Sequence, residues 1–301
     1  MPALLNYIVW DVSPFIYEGE HFTIGWYGVL WTLGLLGMLV TLLVTFKHDG
    51  VPSQYALITF MVSLVCVIFF GHLFQGLFYE WYYSPGNPWY FLGIDLNYRN
   101  YYFDHPLMFL TFNHGGFASH GCIFGGLLTA MLLAKPFKCS LWWLSDRIMT
   151  GLLFLAVCVR FGNFFNGEIY GIPTDLPWGV VFKEGEPPCH PTMFYEITYI
   201  LVFYILLLLI IESKKLHKYN GMATAIGFMS VLCRMLIEII KNPQMTIESS
   251  WYLDMGQWLS IPYLLGGIYL LYYVVNQDSP QNMPPSLQPY GFKRKSGTCK
   301  K

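Results

Sequence analysis

Four ionisable side chains stand inside stretches that are otherwise apolar: Arg160, Glu196, Arg234 and Glu238, with Glu168 just past the end of one such stretch. Four histidines, His72, His114, His120 and His190, accompany them. A guanidinium stays charged at physiological pH and presents a planar fork of donors, which suits bidentate contact with a phosphate. Two such forks close together make an anion clamp. The same residues also admit a purely internal use: Arg234 and Glu238 are four apart and share a helix face, and Arg160 has Glu168 within reach. Residue types alone leave both uses open.

The word Arg160-Phe-Gly-Asn163-Phe-Phe-Asn166-Gly167-Glu168-Ile-Tyr-Gly171 adds information. A helix ending in two asparagines, two glycines and a carboxylate cannot run on into lipid, because its released backbone groups would find no partners there. It borders a polar cavity, where Asn both donates and accepts and Gly lets a ligand approach the backbone; the competing reading is a helix C-cap followed by a loop. In Gly116-Phe-Ala-Ser119-His120-Gly121-Cys-Ile-Phe-Gly125, an imidazole sits among glycines. Gly121 and Gly125 form a small-xxx-small pair suited to close helix contact. His120 is either a hydrogen-bonded packing residue or a base matched to a thiol near neutral pH. For His190 and Glu196, at the start of another apolar run, capping and loop anchoring are the favoured roles.

These residues must be positioned by elements that the composition identifies. Charged residues are 12% of the 301, hydrophobic residues 55%, aromatics 19%, and the mean hydropathy is +0.44. This is a membrane composition, and it excludes a disordered chain, a disulfide-stapled module and a nucleic-acid binder. The seven cysteines form no C-x-x-C pair, so neither a zinc site nor a disulfide framework is expected. The first 26 residues lack Lys and Arg, hence the basic start of a cleavable signal peptide.

A helix needs roughly 20 apolar residues to cross a bilayer core. Seven runs qualify: Tyr27–Phe46, Tyr55–Tyr79, Pro106–Ala134, Ile148–Phe165, Thr192–Ile211, Gly221–Ile240 and Met255–Val275, the third long and glycine-rich enough to contain a break. The expectation is an all-α polytopic protein of about seven transmembrane helices. Residues 1–278 form one catalytic membrane domain and 279–301 a basic cytoplasmic tail. With the N-terminus outside, twelve Lys and Arg fall in inner loops and tail, and only Arg99, Lys183 and Lys241 outside, which predicts an N-out, C-in arrangement. Two long outer segments result, at about 80–104 and 166–191. The first holds ten aromatics, which suit either the headgroup level of the leaflet or a self-packed cap.

The chain resembles the prolipoprotein diacylglyceryl transferases, bacterial inner-membrane enzymes, across roughly residues 20 to 275. The likeness is carried by Gly25-Trp26-Tyr27-Gly28, Ser119-His120-Gly121, the word from Arg160 to Gly171, Thr174-Asp175-x-Pro-Trp178-Gly-Val-Val-Phe182, His190-Pro-x-x-x-Tyr195-Glu196, Arg234-x-x-x-Glu238 and Met255-Gly256-Gln257-Trp-Leu-Ser260, in that order.

The resemblance implies a seven-helix fold with its site toward the outer leaflet. It implies transfer of the sn-1,2-diacylglyceryl group of phosphatidylglycerol to the lipobox cysteine of a preprolipoprotein signal peptide, giving a thioether and glycerol 1-phosphate. Membrane lipids are then the other partners, and no metal or dissociable cofactor is implied. Carried over by position, the catalytic residues are His120, Arg160 and Arg234. Tyr27, Asn163, Asn166, Gly167, Glu168, Gly171 and Glu238 bind substrate. Departures occur where the family commonly has Gly at Val159, Phe at Ser119, Gly at Cys122, Tyr at Ser230, Arg at Cys189, and an Arg-x-Pro-Asp-like sequence at Lys241-Asn-Pro-Gln244.

Overall fold

The computed structural model describes residues 7–84, 89–91, 94–96, 98–111, 116–213, 219–242 and 252–276. His114 and the basic tail lie outside these. The long apolar runs fold as helices, the one spanning form a single chain segment can take while satisfying its own backbone. They are α1 (Trp26–His48), α2 (Ser53–Phe78), α4 (Ser119–Phe137), α5 (Leu141–Phe165), α6 (Thr192–Glu212) and α9 (Met255–Val275), with the four-residue α3 (Tyr101–Asp104) between α2 and α4. Each of the six is long and apolar enough to cross a membrane. Their outward faces expose Leu36, Val40, Met61, Val65, Leu209 and Tyr269, among others. An apolar belt of that extent needs lipid around it, so the chain is an all-α, multi-pass membrane protein.

Two expected spans differ from the prediction. Gly221–Ile240 is two eight-residue helices, α7 (Met222–Met229) and α8 (Val231–Glu238), meeting at Ser230, whose Oγ donates to the Gly227 carbonyl at 2.6 Å. Arg234 and Glu238 lower the apolar content of this segment. The run Pro106–Ala134 divides into a 3₁₀ turn, Pro106–Leu110, and α4. Among the described residues, 116–118 at the start of the His120 word are not helical.

α5 lies at the centre, packed by α1, α4, α6 and α7, while α9 closes over α7 and α8. Close approach of α4 to α2 depends on the glycine pair. A Cβ on Gly121 would stand 2.1 Å from the Phe70 carbonyl oxygen, and one on Gly125 2.5 Å from that of Cys66. The helix end carrying Lys47 and Arg147 is tied by buried charges. Arg147, one of the twelve basic residues expected in inner loops and tail, lies within α5, where it pairs with Asp49; Asp49 also accepts from Trp143 Nε1 at 2.8 Å. Asp146 accepts from the Gly221 and Thr224 amides at 2.9 and 2.7 Å, so a side chain of α5 caps the start of α7.

The opposite end carries short strands. β1 (Ile8–Val9) pairs in parallel with β8 (Val180–Val181), and β2 (Phe15–Glu18) with β3 (Thr23–Gly25). The aromatic-rich segment folds as two antiparallel pairs, β4 (Trp81–Tyr83) with β7 (Tyr98–Asn100) and β5 (Trp89–Phe91) with β6 (Ile94–Leu96). Tyr102 is buried against Gly76, and Trp81 packs edge-on to Phe103, while Tyr82, Tyr83 and Tyr101 stay exposed. Asp104 pairs with Arg99 and accepts from the Tyr82 hydroxyl at 2.8 Å. These two partners, the tyrosine first, hold the Asp104 carboxyl below its ordinary range.

Candidate active site

Arg160 stands on the penultimate turn of α5, and the way that helix stops sets what surrounds it. Gly167 adopts φ +60°; its amide donates to the Phe164 carbonyl at 3.0 Å, and the Glu168 amide donates to that of Asn163 at 3.1 Å. These two bonds are a Schellman motif, which satisfies carbonyls the helix would otherwise release. The motif also turns Glu168 back onto the helix. Asn163 Nδ2 donates to Glu168 Oε1 at 2.8 Å, Asn166 Nδ2 reaches the same oxygen at 3.4 Å, and Arg160 Nη1 donates to Asn163 Oδ1 at 3.0 Å. The capping and site readings of this word thus describe one arrangement.

Ile169 follows at φ +60°. A β-branched residue there is a backbone outlier of the kind that costs about 1–3 kcal/mol. Two residues on, Gly171 donates its amide to the His190 carbonyl at 2.8 Å, and its carbonyl accepts from Asn242 Nδ2 at 3.0 Å. A Cβ at Gly171 would lie 2.4 Å from the Ile240 carbonyl oxygen, so glycine is what lets the segment after α8 pass here. That passage places Lys241.

Glu196, one turn into α6, is 0% exposed. Its Oε2 lies 2.6 Å from Arg160 Nε, and its Oε1 lies 2.8 Å from Lys241 Nζ and 3.5 Å from Arg234 Nη1. Glu238 Oε2 meets Lys241 Nζ at 3.3 Å and Arg234 Nη2 at 3.8 Å. Gly256 of α9 leaves room for these groups, since a Cβ there would stand 2.9 Å from Glu238 Oε1 and 3.2 Å from Arg234 Nη2. Burial lowers the affinity of the Lys241 ammonium for its proton, and Glu196 opposes that effect; the net pKa lies below the ordinary lysine value.

A cavity of about 380 Å³ lies between α1, α2, α4, α5, α6 and the α7–α8 junction. At one end its lining is polar: Tyr27, Arg160, Asn163, Glu168, Ser230 and Arg234. Gln75 and Tyr79 of α2 and Ser119 of α4 also line it. Met149, Leu152 and Leu153 lie seven or more residues back along α5 from Arg160, roughly 10–16 Å deeper at the helical rise. The chamber suits an amphiphile with an anionic head. Arg234 lines this space, and among the described residues its buried Nε has no hydrogen-bond partner.

The residues singled out from sequence divide accordingly. Tyr27, Arg160, Asn163, Glu168 and Arg234 line the cavity. Asn166, Gly167, Gly171 and Glu238 stand behind it, holding those that do. His120 is 1% exposed and absent from the lining; its Nε2 is 2.9 Å from Ser260 Oγ, and its carbonyl accepts from the Tyr263 hydroxyl at 2.7 Å. Of the other histidines, His72 Nε2 contacts the Met108 carbonyl at 3.0 Å and His190 Nδ1 the Tyr195 hydroxyl at 3.1 Å. Glu196, expected to cap α6, and Lys241, expected in an outer loop, both join the ion-pair cluster, and a carboxylate in a strongly apolar helix is itself a signal of the first.

Comparison with known proteins decides the family. The sequence profile of the prolipoprotein diacylglyceryl transferases matches residues 14–273. The chain belongs to the prolipoprotein diacylglyceryl transferase family. A phosphatidylglycerol–prolipoprotein diacylglyceryl transferase of Chloroherpeton thalassium is 34% identical, over 90% of this chain and 96% of its own length. Proteins of the same name from Tolumonas auensis and Porphyromonas gingivalis are each 30% identical, covering 88% and 93% of this chain and 96% and 99% of their own lengths. This family member is accordingly a membrane-embedded transferase, with its cavity among the segments that the profile covers.

Proposed function

We propose that the cavity binds phosphatidylglycerol by its phosphate and transfers the diacylglyceryl group to the thiol of a lipobox cysteine in a preprolipoprotein signal peptide. The products are a thioether-linked lipid and glycerol 1-phosphate, the first step of lipoprotein maturation. One observation carries this reading: Arg160 and Arg234, from different helices, converge on Glu196 and both face a chamber that is polar at one end and apolar along its depth. The names of the relatives supply the substrates.

The thiolate sulfur attacks the glycerol carbon that bears the phosphate. The S–C bond forms, the C–O bond breaks, and the electron pair goes to the phosphate oxygen, where Arg160 and Arg234 meet the growing charge. Asn163, Asn166 and Glu168 orient Arg160 and the headgroup, and Tyr27 borders the same space. Gly167, Gly171 and Glu238 support them from behind.

The thiol proton is assigned to His120, next to cavity-lining Ser119. Ser260 Oγ donates its one proton to the Gly256 carbonyl at 2.6 Å, so toward His120 it can only accept. Nε2 of His120 therefore carries the hydrogen and Nδ1 carries the lone pair, and among the described residues Nδ1 has no hydrogen-bond partner. The proton ends on the phosphate monoester, which balances the reaction.

The site faces the outer leaflet of the bacterial inner membrane, in the N-out, C-in arrangement favoured by the basic residues. Vesicles containing the protein, labelled phosphatidylglycerol and a lipobox peptide test the reading. Label moves to the peptide and glycerol 1-phosphate is released; a peptide with Ser for Cys receives none. No transfer to the Cys peptide would refute it.

A further inference from the structure

The most heavily contacted group of the site touches no reacting atom in the chemistry above. Glu196 is fully buried and divides its oxygens, Oε2 to Arg160 and Oε1 to Lys241 and Arg234. With Glu238, two carboxylates pair directly with three cations, and Glu168 reaches Arg160 through Asn163. Removing a carboxylate from among buried cations is costly in any case, so charge balance alone would justify Glu196. The geometry does more. One rigid carboxylate takes a nitrogen from each guanidinium, which fixes the two forks relative to each other, while Asn163 holds Arg160 Nη1, Glu238 holds Arg234 Nη2, and both side chains line the cavity.

We propose that Glu196 is a positioning residue that sets Arg160 and Arg234 in register for one tetrahedral phosphate, with Lys241 holding Glu196 in place from the far side. Glu196 also competes with the phosphate for both guanidiniums. It thereby weakens ground-state binding while keeping the arrangement that the departing phosphate needs, the trade that favours turnover over affinity. A structural brace would show no such split between affinity and rate. The proposal rests on the two arginines being the phosphate clamp.

Full-length protein in phosphatidylglycerol vesicles tests it through turnover, inhibition by inorganic phosphate and the thermal unfolding midpoint. Glu196→Asp keeps the charge and shortens the side chain by one methylene. It should unfold near the wild-type temperature yet lose turnover by about a hundredfold, as expected when reacting groups are displaced by about 1 Å. Glu196→Gln should bind inorganic phosphate more tightly than wild type while turning over slowly. The double variant Glu196→Gln/Lys241→Met restores the charge count; it should recover the unfolding midpoint and remain slow. Wild-type turnover in Glu196→Asp, or full recovery of turnover in the double variant, would reduce Glu196 to a charge balancer and overturn the proposal. If Glu196→Gln does not fold, the Asp variant decides. A wild type that phosphate does not inhibit overturns the clamp itself, an outcome distinct from a phosphate-sensitive wild type whose Glu196→Asp variant is fully active.

Discussion

Arg160 and Glu168 belong to one network without touching: Asn163 accepts from Arg160 Nη1 at 3.0 Å and donates to Glu168 Oε1 at 2.8 Å. A carboxamide is the one neutral side chain of this length that can accept from a cation with one atom and donate to an anion with the other. Direct pairing would have drawn the guanidinium to Glu168. The bridge leaves it to Glu196 and the cavity.

Asn163→Asp should therefore be worse than its size suggests. The new carboxylate still accepts from Arg160 but faces Glu168 with like charge. Hydrogen bonds to charged groups are worth about 1.5–3 kcal/mol each, so transfer should fall about ten- to a hundredfold. Asn163→Asp should also be rescued in part by Glu168→Gln, which restores a donor opposite the new acceptor. A double variant no faster than the single one would show that the bridge is not what Asn163 contributes.

Much of this site was legible in the sequence because its parts are costly where they stand. Arginines and asparagines in apolar helices announce themselves. The pairing was not legible. Arg234 and Glu238, neighbours on one helix face, sit at 3.8 Å, while Arg234 also shares Glu196, 38 residues away, with Arg160 and Lys241. Spacing along one helix reports local neighbours and says nothing of a carboxylate arriving from another. The break at Ser230 was hidden for a similar reason: an apolar run reads alike whether its helix is continuous or jointed. His120 stood out by its place among glycines, but which way its ring turns depends on Ser260, 140 residues on.

If Arg234 serves only to neutralise Glu238, replacing both with apolar residues should leave transfer intact, since a buried pair often exchanges for hydrophobes without loss. The contact with Glu196 argues against this. Arg234→Leu/Glu238→Leu should fold, by its thermal midpoint, and remain inactive. Arg234→Lys keeps the charge and loses the fork, so its kcat/KM should drop by more than tenfold. Wild-type activity in either variant would contradict the clamp.

Lys241 makes the alkaline limb of the reaction informative. Its pKa is lowered in the fold, so its ammonium loses its proton below the ordinary lysine range, and with it the ion pairs to Glu196 and Glu238. Turnover should then decline as pH rises, beginning below about 10.4. Lys241→Arg keeps the charge through this window and should move the decline to higher pH. Identical alkaline limbs in both proteins would separate Lys241 from the active arrangement.

Orientation can be read directly. Glu184 belongs to the segment that leads from Gly171 to α6, at the same end of the bundle as Arg160. A cysteine placed at Glu184 should react with an impermeant maleimide added outside intact cells, and a C-terminal reporter that works only in cytoplasm should be active. The reverse pair of results would place the site at the inner leaflet.

The hydrogen bonds around His120 give the last prediction. Ser260 donates to the Gly256 carbonyl and so accepts from His120 Nε2, which assigns the lone pair to Nδ1. General-base help is worth about 10²–10⁴-fold, so His120→Gln should slow transfer by that order with little change in phosphate inhibition. A free thiol has a pKa of about 8.5, so the slow variant should recover as pH rises and the substrate ionises unaided. Ser260→Ala removes the acceptor and frees the imidazole to take either tautomer. The ¹⁵N shifts of His120, identified by their loss in His120→Gln, should show hydrogen at Nε2 in the wild type and a mixture in Ser260→Ala, with transfer slowed in proportion to the lost tautomer. A packing role predicts lower thermal stability in both variants, no alkaline recovery in His120→Gln, and turnover in Ser260→Ala indifferent to the tautomer. That result would leave the two arginines to favour the thiolate by charge alone.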